Sequence, residues 1–180
     1  MYLLLCGNDF HFEMENICRL FLPQEKIVTL YDTVDDGSLA GLVVTGSLES
    51  SRGAVHIAVR LRLEHPEAQV IAGGTDVLVQ MREGKRAGKA LISIQGCGEM
   101  RGVTLDEEEN LRIGSLTTFS HITADPLIQL YINVLGEAVD MVGGPQIRNA
   151  GTIGGNTCNG VTSADSASTL HAWEAIVEIT

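Results

Sequence analysis

The chain has 180 residues, 44% of them hydrophobic, which is enough to bury one sizeable core or two small ones. Its 23 acidic residues outnumber 12 Lys and Arg, giving a formal net charge of −11, which argues against a nucleic-acid partner. The apolar opening at residues 2–6 is too short to span a membrane and has no leader features, so we predict a cytoplasmic protein without a membrane partner.

Short apolar runs separated by polar turns make up the first third of the chain. We predict a strand at residues 2–6, a helix near residues 12–21 and a second strand at residues 26–30. Another apolar run follows at residues 42–45. Apolar and polar residues then alternate strictly over residues 55–63, which predicts a β-hairpin with one buried face.

Glycine-rich turns and buried-type strands characterise the rest of the chain. A strand predicted at residues 68–72 runs into a glycine turn at residues 73–76. Thr75 or Asp76 in this turn is suited to cap a helix at residues 77–81. The sequence therefore predicts a strand, turn and helix in direct succession.

A hairpin and a long helix are predicted next. After a strand at residues 91–94, residues 103–105 pair with residues 111–115 across an acidic turn. The charges of that turn indicate a solvated hairpin end rather than a metal site. A helix over residues 125–142 opens on a cap and a first-turn proline, and its interior Gly136 permits a break.

The distribution of cysteines and the end of the chain give two further expectations. Cys6, Cys18, Cys97 and Cys158 form no Cys-x-x-Cys pair, so we predict no iron–sulfur or zinc site and expect packed, reduced thiols. Residues 174–180 predict a strand that stops without a polar tail, and we expect the chain to be incomplete there.

Two glycine loops offer chemistry for a polar ligand. The first lies in residues 70–76, a strand that runs into a glycine turn, and its glycines let the backbone approach an anion such as a pyrophosphate. The second lies in residues 143–166, a stretch of glycine, small and polar residues with many hydrogen-bonding groups. Residues 72–75 are called the first glycine loop, and residues 151–156 the second glycine loop. A tight turn and a plain loop are the alternatives.

Residues from about 65 to 180 resemble the N-terminal portion of the FAD-binding subunit of xanthine dehydrogenase. The resemblance is carried by Ala-Gly-Gly-Thr-Asp at residues 72–76, Gly-Pro-Gln-Ile-Arg-Asn at 144–149, Thr-Ile-Gly-Gly-Asn at 152–156 and Ser-Ala-Asp-Ser at 163–166. It implies an α+β, FAD-binding PCMH-type fold of the vanillyl-alcohol-oxidase-like class, truncated and preceded by a small α/β segment. The domains would be residues 1–63 and 64–180.

The resemblance also implies an FAD site formed by both glycine loops. The first group of residues would bind the pyrophosphate and neighbouring atoms, largely through backbone N–H groups: Gln69, Val70, Ile71, Ala72, Gly73, Gly74, Thr75 and Asp76. The second group would line the same cofactor: Thr152, Ile153, Gly154, Gly155 and Asn156. Asp165 would lie near the adenosine or ribityl side of FAD.

Other interpretations of the polar residues remain open. Asp165 fits a helix cap, Asn156 fits a turn, and Arg148 fits a structural ion pair or carbonyl contact better than a phosphate contact. Neither His121 nor His171 has an acidic partner in a known motif, so we assign no catalytic residue.

The function implied by the resemblance is that of an oxidoreductase subunit. A [2Fe–2S] subunit would deliver electrons taken at a molybdopterin subunit, and FAD would pass them to NAD. The alternatives are the flavin subunit of a carbon monoxide dehydrogenase or aromatic acyl-CoA reductase type, and a non-catalytic remnant that no longer binds FAD. No metal ligand set is visible in the sequence.

The opening of the chain departs from this family. It contains Gly-Asn-Asp-Phe at residues 7–10 and Glu-Asn-Ile-Cys-Arg-Leu-Phe-Leu-Pro at residues 15–23. On these, residues 1–63 resemble the start of an oxygen-independent coproporphyrinogen-oxidase-like radical enzyme, without its three-cysteine motif. We therefore predict a hybrid, joined near Glu64, whose flavin domain lacks its first strand and helix. Poor FAD affinity is the expected consequence.

Overall fold

The structure, a computed structural model, describes residues 54–85 and 89–179 and the backbone of three earlier strands. These strands are β1 (Tyr2–Leu5), β2 (Thr29–Thr33) and β3 (Leu39–Leu42). Strand β1 confirms the strand predicted at residues 2–6, whereas the helix predicted near residues 12–21 lies outside the described residues.

The chain divides into two compact units. Unit 1 comprises Met1–Gly7, Ala72–Thr75 and Met100–Thr180. Unit 2 comprises Asn8–Ile71 and Asp76–Glu99. The first glycine loop, Ala72–Thr75, therefore belongs with the second glycine loop in unit 1.

Unit 2 is built on a four-stranded sheet in the order β3–β2–β5–β4. Strands β4 (Gln69–Ile71) and β5 (Leu91–Ser93) run parallel, and β2 is antiparallel to both β3 and β5. Helices α1 (Ala54–Glu64) and α2 (Val77–Arg82) complete the described part of the unit. Its buried apolar side chains are those of Ala58, Val59, Ala68, Ile71, Leu91, Ile92, Ile94 and Cys97. The strands and the helix predicted between residues 68 and 94 are confirmed.

Helix α1 shows that the hairpin predicted over residues 55–63 is wrong. Burial follows the spacing of a helix, because the adjacent residues Ala58 and Val59 are both buried. The opposite face carries an ion pair between Arg60 and Glu64, one helical turn apart, with 3.8 Å between Nε and Oε1. In the predicted hairpin, Ala58 would lie on the exposed, polar face. Its burial beside Val59 is consistent with a helix and not with the hairpin.

Unit 1 contains a second four-stranded sheet, in the order β6–β7–β1–β8. Strand β1 is parallel to β7 (Leu111–Gly114) and to β8 (Ile176–Ile179), and β6 (Val103–Leu105) is antiparallel to β7. This confirms the predicted hairpin and the predicted last strand.

The acidic turn between β6 and β7 is organised by one carboxylate. Oδ1 of Asp106 accepts hydrogen bonds from the backbone N–H groups of Asn110, at 2.8 Å, and Glu108, at 3.0 Å. The Asn110 N–H contributes most to lowering the pKa of Asp106 below its ordinary value, and Arg112 also lowers it. The turn is therefore a hydrogen-bonded hairpin end, as predicted.

Six short helices follow β7 in unit 1. They are α3 (Phe119–Ala124), α4 (Pro126–Tyr131), α5 (Asn133–Asp140), α6 (Pro145–Ala150), α7 (Ile153–Cys158) and α8 (Ala167–Ala172). Asp125 caps α4 by accepting from the N–H of Leu127 at 2.9 Å, as predicted for this helix start.

The single helix predicted over residues 125–142 is interrupted at Ile132 and not at Gly136. Ile132 has φ −148° and ψ 52°, which ends α4 before α5 begins. Gly136 lies inside α5, where a Cβ would stand 3.5 Å from the Ile128 side chain and 3.7 Å from the Thr123 backbone. The Ile132 side chain is buried at the break, and the position of the glycine does not reveal a break at this isoleucine.

The core of unit 1 joins β7 to the helices. Its buried members are Leu111, Ile113, Phe119, Ile122, Ile128, Ile132, Leu135, Val139, Ile153 and Leu170. Ile153 opens helix α7, so the second glycine loop is anchored in this core. Among the helices that the structure describes, none has the length and apolar character needed to cross a membrane.

Truncating Leu135 tests the position of the core. Leu135 is 0% exposed, whereas Leu130 on the neighbouring helix is 72% exposed. We expect Leu135→Ala to lower the free energy of unfolding by about 2–5 kcal/mol and Leu130→Ala to change it by less than about 0.5 kcal/mol. Urea unfolding of both variants measures the difference, and equal effects would contradict this core.

Candidate functional site

The first glycine loop presents backbone donors for which the described part of the chain supplies no backbone acceptor. Gly74 has φ +78°, a left-handed conformation that favours glycine. The N–H groups of Gly73, Gly74 and Thr75 donate no backbone hydrogen bond within the described residues. Because buried or half-buried N–H groups normally find an acceptor, three such donors in succession are suited to an oxygen-rich ligand.

The second glycine loop is held by the segment that follows β7. The N–H of Gly154 donates to the carbonyl of Ser115 at 2.8 Å, and the N–H of Ile153 donates to the carbonyl of Thr117 at 3.0 Å. Gly151 completes the connection through its carbonyl, which accepts from the N–H of Phe119. These main-chain bonds fix the start of α7 on a buried segment.

Two further amides of this loop are also used internally. The N–H of Gly155 donates to Oγ1 of Thr152 at 3.1 Å, and the N–H of Asn156 donates to the carbonyl of Thr152 at 3.0 Å. Every N–H in the first turn of α7 therefore has an acceptor within the protein. These four amides of the second glycine loop are therefore not available to a ligand.

The two glycine loops touch through their backbones. A Cβ placed on Gly73 would lie 1.7 Å from the carbonyl oxygen of Ala150 and 3.3 Å from the nitrogen of Gly151. No side chain fits at that distance, so Gly73 is required by close approach rather than by its φ angle. The structure thus brings together two segments that are almost eighty residues apart in sequence.

A side-chain pair lies beside the second loop. Oγ of Ser166 donates to Oδ1 of Asn156 at 2.6 Å. Asp165, the residue before Ser166, is exposed. The N-cap of α8 is Ser166 and no side chain caps this helix, so the alternative interpretation of Asp165 as a helix cap is wrong.

Arg148 has a structural role, in agreement with the favoured interpretation of the sequence. Its Nε lies 3.2 Å from Oδ1 of Asp140, and its Nη1 donates to the carbonyl of Gly143 at 2.8 Å and to that of Val142 at 3.3 Å. The guanidinium group ties the turn before α6 to the helix that leads into the second glycine loop.

The other predicted site residues lie in unit 2. Gln69, Val70 and Ile71 form strand β4, and the side chain of Gln69 donates to the carbonyl of Val70 at 2.9 Å. Asp76 occupies the N-cap of α2 without making a capping bond. Participation of all these residues in cofactor binding stays a prediction.

Several features were missed or misjudged from the sequence. His121 does have an acidic partner, because its Nε2 lies 3.2 Å from Oδ2 of Asp125; the spacing of four residues was the available signal. Cys158 is exposed, so the expectation of a packed thiol is wrong there, whereas Cys97 is buried. No group of three or more metal-ligating side chains occurs in the part of the chain that the structure describes.

Residues 51–180 match the family described as the FAD binding domain in molybdopterin dehydrogenase. The chain is 43% identical over 122 residues to the xanthine dehydrogenase FAD-binding subunit of Escherichia coli O157:H7, covering 68% of this chain and 42% of that protein. It is 32% identical over 131 residues to the nicotinate dehydrogenase FAD-subunit of Eubacterium barkeri, covering 73% and 42%.

A solved structure of carbon monoxide dehydrogenase from Hydrogenophaga pseudoflava, which lacks the Mo-pyranopterin moiety, aligns with a TM-score of 0.52 and 31% identity. The alignment covers 61% of this chain and 37% of that chain. The predicted family resemblance and PCMH-type fold are confirmed. The chain spans about two fifths of the length of the curated relatives it matches, and the resemblance predicted for residues 1–63 stays a prediction.

Adding one methyl group at Gly73 tests the contact between the loops. We expect Gly73→Ala to lower the free energy of unfolding by about 1–3 kcal/mol, because the new Cβ overlaps the Ala150 carbonyl. Gly136→Ala is the matched control, since its Cβ has room within a helix and should stabilise by about 0.5–1 kcal/mol. Urea unfolding of both variants measures these changes. An unchanged free energy of unfolding in Gly73→Ala would contradict the contact between the two loops.

Two buried hydroxyls under the second loop provide a matched test of its support. Ser115 is 4% exposed and its Oγ has no partner among the described residues. Thr117 is 1% exposed, and its Oγ1 accepts from the N–H of Gly102 at 2.9 Å. We expect Ser115→Ala to stabilise the protein by about 1 kcal/mol and Thr117→Val to destabilise it by about 1–3 kcal/mol. Midpoints in thermal unfolding should move in opposite directions; a shift of both in one direction would refute this assignment.

Proposed function

Because the chain belongs to the family of FAD-binding domains in molybdopterin dehydrogenases, we propose that it is the FAD-binding electron-transfer component of a xanthine dehydrogenase-type molybdenum hydroxylase. FAD is the cofactor of this domain. When bound, it would accept electrons from a [2Fe–2S] subunit and pass them to NAD. The partners would be that subunit and a molybdopterin subunit, in the cytoplasm. The 43% identity to a xanthine dehydrogenase FAD-binding subunit supports the choice of type.

The contact between the two glycine loops is the observation that carries this proposal. Gly73 lies directly against Ala150 and Gly151, and the N–H groups of Gly73, Gly74 and Thr75 have no backbone acceptor in the described parts of the chain. A pyrophosphate offers several anionic oxygens to such donors. The residues present therefore fit a dinucleotide phosphate.

The donors of this site are uncharged. Arg148, three residues before Gly151, already pairs with Asp140 and with two backbone carbonyls. In this chain, whose net charge is −11, we propose that directed amide hydrogen bonds from the first glycine loop hold the phosphate group. The use of backbone amides in place of charged side chains explains why glycines rather than basic residues mark the proposed binding motif.

Each part of the site has a distinct proposed task. The first glycine loop binds the pyrophosphate. The flanking residues, which bind the pyrophosphate or neighbouring atoms of FAD, are Gln69, Val70, Ile71 and Asp76. The second glycine loop supplies a narrow wall with little side-chain bulk, where the side chain of Asn156 provides a donor. Asp165 offers carboxylate oxygens, which accept hydrogen bonds from hydroxyl groups. None of these residues is proposed to break a bond.

A second candidate is the flavin subunit of a different molybdenum hydroxylase. The 32% identity to a nicotinate dehydrogenase FAD-subunit and the likeness to a carbon monoxide dehydrogenase favour it. Both candidates require FAD in the same site. They differ in the substrate oxidised by the assembled complex, so substrate-dependent reduction of the flavin by purines distinguishes them.

Direct titration with FAD tests the proposed cofactor site. FAD at one hundred times its Kd should raise the free energy of unfolding by about 2.7 kcal/mol and give the protein visible flavin absorbance after removal of free ligand. Riboflavin is the matched ligand control, because it shares the ring system but has no pyrophosphate, and it should stabilise much less. Gly73→Ala should weaken the FAD effect. A chain that stays colourless and unshifted in excess FAD would contradict the proposal and favour a remnant without cofactor.

A further inference from the structure

The hydroxyl of Ser166 is buried and engages a residue of the second glycine loop. Ser166 is 0% exposed, and its Oγ lies 2.6 Å from Oδ1 of Asn156, ten residues earlier in the chain. Although Ser166 stands at the N-cap of α8, its side chain makes no capping bond. The hydroxyl therefore donates its hydrogen bond to Asn156 and does not cap helix α8.

This hydrogen bond determines which end of the Asn156 amide faces Ser166. A serine hydroxyl carries one proton, and a carboxamide carries one acceptor oxygen and one NH₂ donor. If the amide turned round, its Nδ2 would donate to Oγ and the hydroxyl proton would need another acceptor. The described residues supply none, and a fully buried unsatisfied donor is strongly disfavoured. Oδ1 of Asn156 therefore faces Ser166.

The same orientation leaves the Nδ2 group of Asn156 available as a donor. Asn156 is half-buried directly after Gly154 and Gly155, and its Nδ2 has no acceptor among the residues described. The neighbouring Thr157 uses its hydroxyl within α7, donating to the carbonyl of Ile153 at 2.9 Å. Asn156 Nδ2 is thus the strong side-chain donor that α7 keeps free.

We propose that Ser166 is a positioning residue, which orients Asn156 so that its NH₂ group faces an oxygen acceptor of FAD. Asn156 contacts the cofactor, and Ser166 acts only through Asn156. The inference rests on the proposed function, since it assumes that FAD occupies the site. It adds a specificity device: the fixed amide favours a ligand oxygen that accepts a hydrogen bond and disfavours a group that donates one.

Four proteins test the inference through their dissociation constants for FAD. They are the unchanged chain, Ser166→Ala, Asn156→Ala and the double variant. We expect Ser166→Ala to weaken FAD binding about tenfold, because the amide then rotates freely. In the Asn156→Ala background, Ser166→Ala should weaken binding no further, since the group it positions is gone. A purely structural role would give the same loss in both backgrounds.

Ser168→Ala is the matched control, because Ser168 is an exposed serine of the same helix, and it should leave the FAD affinity unchanged. If Ser166→Ala fails to fold, Asn156→Asp provides an independent test: it keeps an oxygen acceptor for Ser166 but removes the NH₂ donor, and it should weaken FAD binding at least tenfold.

Tight FAD binding by Asn156→Asp, unchanged affinity in Ser166→Ala, or additive losses in the double variant would each overturn the positioning role while leaving the cofactor assignment intact. If the unchanged chain binds no FAD, the proposed function fails first, and this inference fails with it. The two failures are therefore distinguishable.

Discussion

The backbone of Gly73 lies so close to the carbonyl of Ala150 that no Cβ fits between them. This contact places the first glycine loop, with three N–H groups that lack a backbone acceptor in the described structure, beside the second glycine loop. In the second loop, the N–H groups of residues 153–156 donate to Ser115, Thr117 and Thr152. The first loop thus offers backbone donors, and the second offers a fixed surface beside them.

That surface is preorganised by the core of unit 1. Ile153 is buried in the core, and main-chain hydrogen bonds join Ile153 and Gly154 to the segment after β7. Arg148 holds the segment that leads into the second glycine loop, because it links Asp140 to the turn before α6. A binding loop supported in this way loses little conformational freedom when a ligand arrives, which favours affinity.

Local patterns in the sequence predict the elements whose signals are local. The hairpin after residue 103 and the cap at Asp125 follow from turn and cap chemistry, and both are found. The alternating pattern of residues 55–63 predicts a strand, but the same residues also fit helix α1 when Ala58 is buried. The sequence does not show that this small residue is buried, so the helix could not be predicted from it. The glycine motifs predict a ligand site, and this stays a prediction. Which amides remain available there depends on tertiary partners such as Ser115 and Thr117, which the motifs do not reveal.

The donors proposed for the dinucleotide do not depend on opposite charge. Backbone amides and the carboxamide of Asn156 are neutral, and their direction is fixed by the fold. Attraction between such groups and a phosphate is short-ranged, so salt screens it less than it screens Lys or Arg contacts at the surface. Because Arg148 pairs with Asp140, we expect selectivity to come from the placement of donors rather than from net charge. The buried hydroxyl of Ser166 extends the same principle, since it controls the direction of a donor without adding charge to the site.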